Sequence, residues 1–116
     1  LEKTTGIVKI VYSEPAEDQL VQIKEFIALD NNKVANEYLV KIKEKIEILS
    51  QFPYVGKINT TLNISNIRDF IVLGYKVIYK INSNNIVILA IYKHMSFDEK
   101  LLVALNEPSE PFEFSS

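Results

Sequence analysis

Apolar residues recur along the chain with two different periods, and the alternation between them predicts the fold. "GIVKIVYS" is short and rich in β-branched residues, so it reads as a strand over about residues 7–13. Ser13 has the character of an N-cap, Pro15 fits a first helical turn, and Glu14, Glu17 and Asp18 complement the positive end of a helix dipole. Ala16, Leu20, Ile23 and Ile27 then repeat at helical spacing, predicting an amphipathic helix over about 14–29. "DNN" at 30–32 breaks it and can cap a second helix, whose stripe is Ala35, Leu39, Ile42, Ile46 and Leu49. So short a polar connection predicts an antiparallel helical hairpin. Pro53 and Gly56 end the helical pattern and open a loop that runs through "INTTLNIS".

The second period takes over beyond this loop. Three strands are expected at about 67–73, 75–82 and 86–93, with Gly74 and "NSNN" supplying the turns. A short last helix, "SFDEKLLVAL", would be capped by Ser96 and would carry Phe97, Leu101 and Leu105 on one side. The order β-α-α-β-β-β argues for an α+β domain, with the helical hairpin on one face of a small, mostly antiparallel sheet. The expected organisation is a single domain over 1–116, with a core of about 7–105 and a mobile acidic tail at 106–116. Ile23, Ile27, Leu39, Ile42, Ile46, Leu49, Val77, Tyr79, Ile88 and Ile91 are expected in the core. Ile88 and Ile91 have opposite parity, so strict alternation sends only one of them toward the hairpin and the other toward the short last helix.

The same alternation isolates a cationic set. The helices can cover one face of the sheet, leaving the other with a mixture of cations and apolar groups. Arg68, Lys76, Ile78 and Lys80 are the candidates for this open face and for binding a target or partner there. Arg68 is the sole arginine of the chain, and its rigid fork of donors suits a carboxylate or phosphate held in fixed geometry. The ordinary alternative is a solvated sheet face carrying weak surface ion pairs.

Composition narrows the chemistry. The net charge is −2, so a general nucleic-acid-binding surface is not expected and any basic surface must be local. Four cations but only one carboxylate, Asp69, lie between Arg68 and Lys93. The absence of cysteine removes disulfides and thiolate chemistry, and a single histidine, His94, cannot form a histidine pair for a metal. Three glycines do not make a phosphate-binding loop. No cofactor and no metal are therefore expected. The longest apolar run, "IVILAIY" at 86–92, is far below the ~18 residues that span a bilayer. With no signal peptide read either, a cytoplasmic protein without a membrane partner is expected.

Several of these residues together carry a resemblance. Ala16 with Leu20 opens the first helix. Leu49, Pro53, Gly56 and Lys57 close the second, Arg68 opens the next strand, Tyr75 and Tyr79 share the third, and His94 ends the fourth. In this order and spacing, over about residues 7–95, the chain resembles the RelE/ParE family of toxins from bacterial type II toxin–antitoxin pairs. The resemblance implies the fold derived above and a cognate antitoxin as partner.

Two mechanisms occur in that family. The ParE-like one inhibits DNA gyrase by binding it. The RelE-like one cuts messenger RNA on the translating ribosome, with cations stabilising the charge at the scissile phosphate and one group moving a proton. Carried over by position, Lys57, Arg68, Lys93 and His94 are the catalytic candidates of the nuclease reading. RelE-like nucleases usually have arginine where Lys93 stands, and lysine lacks the arginine fork. The helix pattern and the His-ending strand look more like ParE members. A degenerate, non-toxic binding module of the same fold is a further alternative.

Overall fold

A computed structural model describes residues 8–93. The elements run β1 (Lys9–Tyr12), α1 (Glu14–Ala28), α2 (Asn32–Ile46), a 3-10 turn (Glu47–Ser50), β2 (Lys57–Ile58), β3 (Ile67–Val72), β4 (Tyr75–Ile81) and β5 (Asn85–Lys93). The domain is α+β, as the two periods predict. The expected last helix, the tail and His94 lie outside the described residues.

Local chemistry fixes the helix starts. Ser13 Oγ accepts from the Ala16 N–H at 3.2 Å, and Asn31 Oδ1 accepts from the Val34 N–H at 3.1 Å, each filling an otherwise unpaired donor of a first turn. The stripe of the second helix continues to Leu49, but the backbone tightens after Ile46 into the 3-10 turn, where Ser50 Oγ donates to the Glu47 carbonyl at 2.8 Å.

The sheet order is β1-β5-β4-β3-β2, antiparallel except for the β1–β5 pair. β2 is a two-residue strand inside the stretch read as loop; its pairing with β3 sets Lys57 opposite Asp69 and Ile58 opposite Arg68. Both helices lie on one face. Ile42, Ile46 and Leu49 from the hairpin are wholly buried with Val77, Tyr79, Ile86, Ile88 and Ile91 from the sheet. Ile27 and Leu39 are half-buried against this cluster.

One expectation about parity is overturned. Ile88 and Ile91 are both buried in the same cluster. A β-bulge makes this possible: Ile78 pairs with Ala90 and Tyr79 with Ile88, so Leu89 is an extra residue on β5. Two residues facing one switch the side of everything that follows. The bulge is anchored from α1. Ser13 Oγ donates to the Leu89 carbonyl at 3.1 Å. Further along, past the end of β1, the Ile91 N–H donates to Gln19 Oε1 at 2.6 Å. Helix side chains thus occupy the edge of β5 that β1 is too short to cover.

Candidate functional site

The registers sort the candidate residues between the two faces. Residues paired across antiparallel strands share a face. Lys76 is opposite Ile71, Ile78 opposite Asp69, and Lys80 opposite Ile67, so these three share the open face with Lys57. Val11, paired with Val87, extends that face beyond Ala90 toward β1. Among the described residues no helix packs on it.

Arg68 is elsewhere. It is opposite Tyr79, on the helix-covered face, so the sequence-based grouping of Arg68 with Lys76, Ile78 and Lys80 does not hold in space. Side-chain parity within β3 already separates Arg68 from Asp69. What the sequence does not state is how β3 and β4 are registered, and register decides which parity of one strand shares a face with which parity of the next. Arg68 is held by backbone carbonyls. Nε donates to Ser65 O at 3.2 Å, and Nη1 donates to Gly56 O at 2.9 Å and Tyr54 O at 3.3 Å. Its guanidinium also stands 5.0 Å from the centre of the Tyr54 ring.

Tyr79 holds the same loop from beneath. Its hydroxyl donates to Pro53 O at 2.6 Å and accepts from the Gly56 N–H at 3.0 Å. Burial raises the Tyr79 pKa, and the Gly56 hydrogen bond and the Arg68 charge only partly oppose this. Gly56 is required by space. A Cβ there would collide with the Asp69 carbonyl and lie 2.7 Å from Tyr79 Oη. On the other face, Asn59 Nδ2 donates to buried Asp69 at 2.7 Å, and Lys76 Nζ lies 3.9 Å from the second carboxylate oxygen. The one carboxylate among the central cations is therefore engaged inside the protein.

Lys57 and Lys93 are not brought together. They belong to β2 and β5, separated by two intervening strands, so their backbones are about 14 Å apart across the sheet at the usual strand spacing. They also point to opposite faces, because Lys93 is opposite Tyr75 and stands 5.6 Å over its ring.

Lys93 instead belongs to a groove that the sequence reading missed. Gln19, Gln22, Ile23 and Phe26 of α1 form one wall; Tyr75, Ile91, Tyr92 and Lys93 form the other, enclosing about 550 Å³. The available signal was Phe26, an aromatic residue one position short of the buried stripe, and it is 73% exposed.

Comparison with known proteins now supplies the family. A family model for the ParE toxin of the type II toxin–antitoxin system parDE matches residues 10–96. The chain belongs to the ParE toxin family. The match covers every described element from β1 to β5 except its first residue. The fold of this ParE-family chain is also that of a solved chain from "Chromosomal ParDE TA system from P. aeruginosa", with a TM-score of 0.66 and 16% sequence identity, covering 77% of this chain and 98% of that one. No curated protein sequence matches. The ParE-family chain is thus a type II toxin by family, which implies a cognate antitoxin as its partner. Among the described residues, no helix is long and apolar enough to cross a membrane, and no cluster of His, Cys, Asp or Glu could hold a metal ion.

Proposed function

We propose that this ParE-family toxin arrests growth by binding DNA gyrase, not by cutting RNA, and that its cognate antitoxin relieves the arrest in the cytoplasm. The observation that carries the reading is the separation of the nuclease candidates. General acid–base cleavage of a phosphodiester needs a proton-transfer group within hydrogen-bond reach and cations around one phosphate. Lys57 and Lys93 point to opposite faces, and Arg68 is engaged with carbonyls of its own chain. Family membership supports the same reading. Inhibition by binding asks only for a complementary surface.

The open face supplies such a surface. Lys76, Ile78 and Lys80 alternate along β4 beside Ile71 and Tyr92, both more than 40% exposed. A partner segment with apolar anchors and carboxylates would bury the former and pair the latter. Arg68 contributes indirectly, by fixing the loop that borders β3.

Two assays on the purified toxin test the proposal. Supercoiling by gyrase is expected to stop while a reporter message in a cell-free translation mixture stays intact. Cleavage of the message with unaffected supercoiling would favour the nuclease. Effects in neither assay would favour the degenerate binding module.

A further inference from the structure

The charges of the protein are sorted by layer. Among the described residues, every carboxylate but Asp69 lies between Glu14 and Glu47, in the two helices, their link and the 3-10 turn. The strands carry Lys9, Lys57, Arg68, Lys76, Lys80 and Lys93. A chain of net charge −2 thus combines an acidic helical layer with a basic sheet. On the open side of that sheet the positive charge is almost without offset. Lys9 has the parity of Val11, so it joins Lys57, Lys76 and Lys80 there. The carboxylate of this face, Asp69, is buried, accepts from Asn59 and pairs with Lys76. Lys9, Lys57 and Lys80 are exposed and have no carboxylate partner among the described residues.

Spacing is the second observation. By register, Lys57 lies two strands to one side of Lys80 and Lys9 two strands to the other, each displaced by two residues along the strands and in opposite senses. At the usual strand separation and rise, the three make a diagonal row with about 12 Å between neighbours. Carboxylates held in fixed geometry are best met by the fork of an arginine, and this face has none. It offers compact point charges at intervals, with Ile78, Val87 and Val11 in the rows between and beside them. Such an array fits a stiff polyanion whose charge repeats. The grooves of B-DNA are about 6 and 12 Å wide, so flexible lysine stems at this spacing reach phosphates on either side of one. The acidic helical layer adds direction, because it repels a duplex from the other side of the molecule.

We propose that the open face takes the phosphate backbone of double-stranded DNA, the duplex on which gyrase acts, so that the toxin is held by enzyme and DNA together. The inference rests on the gyrase reading and deepens it. Ile71 and Tyr92 are left as apolar anchors for the protein partner, and the lysines meet phosphates instead of carboxylates. Backbone contacts of this kind position the toxin and carry no sequence preference. Three of them make only a weak site for free DNA. Added to a contact that gyrase already makes, they act as a tethered second site and raise the overall affinity.

Anisotropy of fluorescein-labelled toxin measures its affinity for purified gyrase alone and for gyrase saturated with a linear duplex of mixed sequence. The enzyme–DNA complex is expected to bind the toxin about fortyfold more tightly than gyrase alone at roughly 50 mM salt and to lose nearly all of that gain at roughly 200 mM, as three phosphate contacts worth ~0.9 each in the log–log slope require. Lys9→Gln, Lys57→Gln and Lys80→Gln are each expected to remove about a third of that slope. The triple variant should bind gyrase equally with and without DNA. All three side chains are exposed, and an unchanged melting temperature of each variant excludes misfolding. Lys33→Gln, on the exposed side of α2, is the control and should leave the gain intact. Equal affinity of the wild-type toxin with and without DNA overturns the proposal and leaves gyrase binding standing. Lysine variants that weaken binding by the same factor in both states show that carboxylates of gyrase meet these lysines, which also overturns it. Binding in neither state overturns the proposal together with the reading it rests on.

Discussion

The two ends of the helix-covered sheet face are built on opposite plans. At the end where β3 begins, Tyr79 and Arg68 grip the loop between the 3-10 turn and β3; together they donate to Pro53, Tyr54, Gly56 and Ser65 and accept from Gly56. Polar groups there find partners within the chain, and glycine is present because nothing larger fits. At the other end, where β5 finishes, a groove opens between α1 and the sheet, Phe26 is largely exposed, the Lys93 ammonium stands over the Tyr75 ring, and the hairpin tip is strained. The difference separates folding from recognition. A residue type that looks functional in the sequence, the sole arginine, stands in the satisfied region, whereas the unsatisfied region is made of residues that draw no attention singly.

The comparison breaks first if the satisfied end tolerates damage. Tyr79→Phe keeps the ring and removes the hydroxyl, leaving the Gly56 N–H and the Pro53 carbonyl without their partner. Two groups orphaned in a buried position are expected to cost about 2–3 kcal/mol in urea unfolding. Arg68→Lys keeps the charge and loses the fork, for an expected cost of about 1 kcal/mol at this partly exposed site. Supercoiling inhibition per folded molecule should be unchanged in both. A variant that keeps its stability and loses inhibition would place function at this end and reverse the contrast.

The fold was legible because it is written in periods. The two helical stripes and three strands need only local pattern, and Ser13 and Gly74 mark their ends in a chemically direct way. Three features were not legible, each because it depends on pairing and not on pattern. The bulge at Leu89 reverses parity partway along β5, and nothing in "IVILAIY" marks where the extra residue falls. Arg68 changes face relative to Lys76 and Lys80 through the β3–β4 register. The groove is lined jointly by α1 and the end of β5, a juxtaposition that no stretch of sequence specifies. Gly56, Arg68 and Tyr79 are three of the residues that carry the resemblance, and only Arg68 among them is a candidate for binding or catalysis. Their geometry gives that set a structural meaning, a loop clamp.

A smaller effect sharpens the other end. Leu73, at the turn between β3 and β4, has φ 49°. Leu73→Asn places there a residue that tolerates positive φ and is expected to stabilise the free toxin by about 0.5–1 kcal/mol. The Tyr38 hydroxyl donates to the backbone carbonyl of this residue at 2.7 Å, and that bond survives the change. If the leucine is kept for contact, the same variant binds the antitoxin several-fold more weakly while melting at a higher temperature. Opposite signs in two measurements on one variant are the signature of a residue placed for a partner. A rise in stability with undiminished affinity would leave Leu73 no role in the antitoxin contact.

The smallest effect compares two tyrosines in one row. Tyr12, Ile88, Tyr79 and Arg68 are successive partners across β1, β5, β4 and β3. The Tyr79 hydroxyl makes two hydrogen bonds, whereas the buried Tyr12 hydroxyl makes none, although Lys43 stands 5.6 Å over its ring. Burial, reinforced by the carboxylates of Glu47 and Glu17, pushes the Tyr12 pKa up to about 12 from an ordinary 10.0. Between those two pH values the unfolded chain has lost this proton and the folded chain retains it. The folded state then binds more protons, so stability falls as pH rises through this window and is unaffected by this group below it. Tyr12→Phe removes the ionisable group and the unpaired hydroxyl together. Near pH 7 it should be neutral or slightly stabilising, in contrast to Tyr79→Phe. Above pH 10 its loss of stability with pH should be shallower than that of the wild type, although Tyr79, whose pKa is also raised, keeps some slope in both proteins. Urea midpoints at pH 7, 10 and 11.5 measure this. Equal costs for the two Tyr→Phe changes at pH 7 would mean that the Tyr12 hydroxyl does hold a partner, and that satisfaction extends across the whole row to β1.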